Sequence, residues 1–125
     1  MLFDTDILIW IQRGNLKASK LVLADRERYI SIQTYMELLQ GAQNKTQHKI
    51  IKTYLSDFNF NTIPLTENIG HRALIYVEEY SLSSNMRAGD AIIAATAVEN
   101  NLTLSTSNVK HFKPVKELSL KGFKP

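Results

Sequence analysis

The chain has 125 residues, is 44% hydrophobic and holds no cysteine, which suits one domain around one core and excludes a disulfide framework or a thiolate metal site. No apolar run is long enough to span a bilayer, and Asp4 and Asp6 interrupt the start of the chain where a signal peptide would be apolar, so the expectation is one domain over residues 1–125, cytoplasmic and without membrane contact. The net charge of +3 is uneven: residues 104–125 hold five lysines against Glu117 alone, a basic tail that suits either a polyanionic ligand or a solvated C-terminus.

Leu2-Phe3 reads as a short buried strand with Asp4 at its carboxyl end. The run Ile7–Ile11 is too apolar for periodicity to type: as a helix it is capped by Asp4 or Thr5, and as a strand it puts Asp4 and Asp6 on one side. Either way two acids come close together. Leu16 to Glu27 reads as an amphipathic helix and Tyr29–Ile32 as a strand. A helix follows from Thr34 to Ala42, with Thr34 and Glu37 spaced as a capping box. Thr46 to Phe58 is a further helix, with Ile50, Ile51, Leu55 and Phe58 facing inward and Lys45, His48, Lys49 and Lys52 lining one side. Phe60–Leu65 contains Pro64 and suits an edge strand. Thr66 to Tyr80 is a long helix with Ile69, Ala73, Leu74 and Val77 inward, joined by a polar connection, Leu82–Met86, to the next one.

That next helix opens near Asp90 and runs on Ala91, Ile92, Ile93, Ala94, Ala95, Ala97 and Val98. It is apolar around most of its circumference, so it belongs in the interior. Asp90 alone reads as a cap on it. Leu102–Thr106 is a strand, Ser107-Asn108 a turn and Val109–Phe112 a brief helical turn, and an irregular basic tail over about residues 113–125 completes the chain. Strands alternating with helices point to an α/β domain whose parallel sheet is covered on both faces.

Ligands of such sheets bind at the carboxyl ends of the strands. Asp4 and Asp6 stand there after the first strand, Thr106 and Asn108 after the last, Glu37 on the helix after the second, and Asp90 at the mouth of the buried helix. Two charges ~4 Å apart repel by about 4 kcal/mol at an effective dielectric of ~20. Gathered acids therefore call for a cation, and oxygen donors without cysteine suit Mg²⁺ or Mn²⁺. Such a site commonly serves phosphoryl chemistry. Asp4-Thr5-Asp6 also resembles the start of haloacid-dehalogenase-type phosphatases, in which Asp4 would be a nucleophile.

Four blocks in order, Phe3–Ile9, Tyr35–Gly41, Asp90–Ala95 and Leu104–Phe112, resemble those of the PIN-domain ribonucleases, and more narrowly of the VapC toxins of toxin–antitoxin modules. The resemblance implies a three-layer α/β domain with a short, mostly parallel sheet. It implies Asp4, Glu37 and Asp90 as catalytic, metal-binding acids with Asn108 at a fourth position where many relatives carry Asp, and Asp6, Thr5 and Thr106 in support. The implied activity is Mg²⁺-dependent RNA hydrolysis, Mn²⁺ being an alternative, with Lys45, Lys49, Lys52, Lys110 and Lys113 available to the RNA backbone. Implied partners are a cognate antitoxin, alone or in a hetero-oligomer, and a second copy of the chain. A PIN-like domain that binds RNA or protein without cutting is the other reading.

Overall fold

The computed structural model describes residues 1–125. Strand β1 (Leu2–Phe3) ends at Asp4, whose carboxylate accepts the Thr5 amide and opens helix α1 (Thr5–Gln12). The untyped apolar run is therefore helical. Helix α2 (Leu16–Leu23), capped by Asn15, stops four residues short of Glu27. The Arg28 guanidinium takes up the carbonyls there, donating to Val22, Leu23 and Asp25 at 2.8–3.2 Å and to Phe58 at 2.7 Å.

Strand β2 (Tyr29–Ser31) runs straight into helix α3 (Ile32–Gly41), and Ser31 supplies the cap by accepting the Gln33 amide. Thr34 does not cap this helix as its spacing suggested; it lies in the first turn, fully buried, and Glu37 is released from any capping box. Next come helix α4 (Lys45–Asp57), strand β3 (Asn61–Ile63) and helix α5 (Glu67–Ser84). Helix α5 absorbs most of the expected polar connection and ends at Asn85 in left-handed backbone, φ 53°. Helix α6 (Ala88–Glu99), strand β4 (Leu104–Thr106), helix α7 (Val109–Phe112) and strand β5 (Leu120–Gly122) complete the chain. The basic tail is thus not irregular: it contributes a fifth strand.

All five strands are parallel, in the order β3-β2-β1-β4-β5. Alternate side chains leave the sheet on opposite faces. Leu2 and Leu104 join Ile69, Ala73, Met86, the alanines of α6, Phe112, Val115 and Leu118 in one apolar layer. Phe3 and Ile30 join residues of α1 to α4 in the other. Two residues expected in these layers face outward, Ile50 at 59% and Leu74 at 56% exposure, because Ile51 and Ala73 beside them take the inward positions. No helix is long and apolar enough to cross a membrane.

Connections from β1 build the sheet toward β3, while β4 and β5 lie on its other side. The strand order therefore reverses between β1 and β4, the position at which open α/β sheets leave a crevice. Asp4 and Thr106 stand at that position.

Candidate active site

Asp4 is 6% exposed at the end of the central strand. Its Oδ1 accepts the Thr5 amide at 2.8 Å and its Oδ2 the Thr106 hydroxyl at 2.7 Å. Burial pushes this carboxyl up to about 7, the Asp6 and Asp90 charges push the same way, and the bonds from Thr106 and Thr5 pull against them. Asp6, in the first turn of α1, accepts the Ser107 amide at 2.9 Å and the Ser107 hydroxyl on Oδ2. Its Oδ1 is buried with no partner.

Glu37 is presented from α3. The Thr5 hydroxyl donates to its Oε1 at 2.6 Å, and the Gln33 side-chain amide to its Oε2 at 3.0 Å. The Thr5 hydroxyl also lies 3.0 Å from that of Thr34. Asp90 reaches back to the Arg87 amide at 3.4 Å, a distance at which a hydrogen bond is weak. Capping therefore leaves most of this carboxylate free. The turn that carries it lies against Glu37: a Cβ on Gly89 would stand 2.9 Å from Glu37 Oε2.

Asp4, Thr5, Asp6, Glu37 and Thr106 are thus linked across one sheet edge, with Asp90 close enough to act on the charge of Asp4. No three of the acids close around a single point. Each carboxylate takes neutral hydroxyl or amide donors instead, Asp90 only the weak bond from the Arg87 amide. The three ion pairs, Met1–Asp25, Arg72–Glu99 and Arg72–Glu117, all lie outside the cluster, so no basic side chain balances its charge. An all-oxygen, uncompensated donor set with an orphaned oxygen on Asp6 fits a hard divalent cation.

Asn108 enters differently. Its side chain is exposed and makes no cap bond, while its backbone amide donates to Thr106 Oγ1 at 3.0 Å. Lys110 lies on α7 and Lys113 directly after it, and Lys45, Lys49 and Lys52 line α4; all five are exposed. Gln33 joins the site without a motif of its own, its spacing four residues before Glu37 on one helix face being the signal in the sequence. Ser107, a turn residue by its sequence, joins the site through Asp6.

Thr106 holds two groups with one hydroxyl. Thr106→Val is expected to cost about 1–3 kcal/mol in urea unfolding, because the Asp4 carboxyl and the Asn108 amide both lose a partner.

A sequence model of the PIN domain matches residues 1–118. Ribonuclease VapC10 of Mycobacterium tuberculosis is 33% identical over 122 residues, 94% of this chain and 90% of the relative. A toxin–antitoxin complex from Klebsiella pneumoniae contains a similar chain, with TM-score 0.78 and 33% identity over 94% of this chain and 93% of that one. VapBC2 from Rickettsia felis, bound to a DNA fragment, matches in fold with TM-score 0.79 at 22% identity, covering 98% of both chains.

Proposed function

This chain belongs to the PIN-domain family, and we propose that it is a VapC-type toxin that hydrolyses RNA phosphodiester bonds with Mg²⁺, or Mn²⁺, held by Asp4, Glu37 and Asp90. The observation that carries this reading is Asp4, a carboxyl buried at the strand switch beside Asp6 and Asp90 with no basic side chain to balance it. A divalent cation bound there supplies an activated water and offsets charge on the leaving oxygen.

The chain's own residues do the rest. Thr5 and Thr106 fix the two oxygens of Asp4, and Ser107 fixes Asp6. Asp6 compensates for the neutral Asn108 by keeping a second negative charge beside Asp4. Lys110 and Lys113, with Lys45, Lys49 and Lys52, hold the RNA backbone, so affinity falls as salt rises. The likeness to the Klebsiella pneumoniae complex and to Ribonuclease VapC10 supports a cognate antitoxin as partner and RNA as substrate; a second copy of the chain completes the assembly. Membership of the family sets aside the phosphatase reading, in which Asp4 would be a nucleophile.

The test is cleavage of structured RNA with Mg²⁺ or Mn²⁺, with and without EDTA, by the wild type, Asp4→Asn and Asp90→Asn. Cleavage abolished by EDTA, and reduced at least ~100-fold in both variants, is the expected result. Cleavage that survives both substitutions would refute the site, and a wild type inert on transfer, messenger and ribosomal RNA would favour a binding role.

A further inference from the structure

The geometry points to Gln33 as a positioning residue for Glu37, acting through a bond for which Gly89 leaves the space; the inference rests on the cation reading above. Both Glu37 oxygens are held by neutral donors, Oε1 by the Thr5 hydroxyl at 2.6 Å and Oε2 by the Gln33 amide at 3.0 Å. A carboxylate oxygen has two lone pairs, so each keeps one open while the plane of the group is fixed. Groups that bond a ligating carboxylate in this way set its orientation toward an ion.

Gly89 is the second observation. Glycine is a poor helix former, yet it occupies the first turn of α6 with no left-handed φ to explain it. What it allows is close approach. A Cβ there would stand 2.9 Å from Glu37 Oε2 and 3.0 Å from Gln33 Nε2. The Gln33–Glu37 bond thus lies directly beneath the turn that presents Asp90, and it couples the acid of α3 to the acid of α6. A mere helix-face pair between residues four apart would need no bare backbone opposite it.

Calorimetric titration of the full-length protein with Mn²⁺ tests this in the wild type, Glu37→Gln, Gln33→Met, Gly89→Ala and the Gln33→Met/Gly89→Ala double variant. Methionine keeps the length of glutamine and removes the donor. Gln33→Met and Gly89→Ala are each expected to weaken Mn²⁺ binding by about 10–100-fold. The double variant should be no weaker than the worse single one, because both break one bond. Urea midpoints taken alongside should stay near wild type, the better helix preference of alanine at position 89 offsetting the displaced Gln33–Glu37 contact. Weakened Mn²⁺ binding in Glu37→Gln but not in Gln33→Met would overturn the role of Gln33 alone. Fully additive losses would overturn the shared bond. A wild type that binds no Mn²⁺ would overturn the cation reading and this inference together.

Discussion

In EDTA, Asp4→Asn is expected to make the protein more stable than the wild type at pH 8, by up to about 4 kcal/mol at ~1.4 kcal/mol per unit of pKa shift. The Asp4 carboxyl is raised from 3.8 to about 7 in the folded chain, first by burial and then by Asp6. A raised carboxyl means that the folded state holds a proton which the unfolded state has already lost. Its contribution is intact below about pH 4 and declines as pH rises toward 7. Asparagine carries no charge to bury and still caps a helix well. The difference between the two proteins, measured by urea unfolding, should therefore open between pH 4 and 7 and stay level above. A difference that does not grow with pH would contradict the placement of Asp4. The substitution that stabilises the fold is the one expected to abolish cleavage, a trade common at strained sites.

Removing residues 114–125 is expected to abolish cooperative unfolding. Val115 and Leu118 are 2% and 8% exposed and lie in the same layer as Leu104, Phe112 and α6. Burying two such side chains is worth roughly 5 kcal/mol, a large part of the ~5–15 kcal/mol that holds a domain together. The cut also strips β4 of its neighbour: the Leu104 amide donates to Ser119 and the Phe123 amide to the Thr106 carbonyl, each at 2.9 Å. Thr106 would lose the backbone support that aims its hydroxyl at Asp4. Circular dichroism with a urea titration measures this. A truncated chain that unfolds with the wild-type midpoint would show that the segment is dispensable.

That segment also shows where the sequence stops being legible. Lys116, Lys121 and Lys124 give it the look of a solvated tail, and a three-residue strand is too short to show periodicity. Only β4, with a free edge, makes it a strand. Ser31 and Thr34 are both good caps, and the choice between them is made by where β2 ends. Ile50 and Leu74 sit beside Ile51 and Ala73, and composition cannot say which of two adjacent apolar residues turns inward. By contrast Asp4 and Thr106 were readable, because a carboxylate or hydroxyl directly after a short apolar strand marks a sheet edge. The link from Gln33 through Glu37 to Gly89 joins positions 56 residues apart in sequence, and no local pattern announces it.

Thermal unfolding of the wild type and Asp4→Asn at pH 8 across a Mg²⁺ titration tests the central claim, that the buried acids stand ready for a cation. A ligand that binds only the folded state stabilises it by about 2.7 kcal/mol at 100 times its Kd. The wild type should begin less stable than Asp4→Asn in EDTA and gain with Mg²⁺ while the variant gains little, so that the variant's lead narrows steadily with Mg²⁺ and closes only near ~1,000 times Kd, where the gain reaches about 4 kcal/mol. A variant that keeps the same lead at every Mg²⁺ concentration would contradict the account.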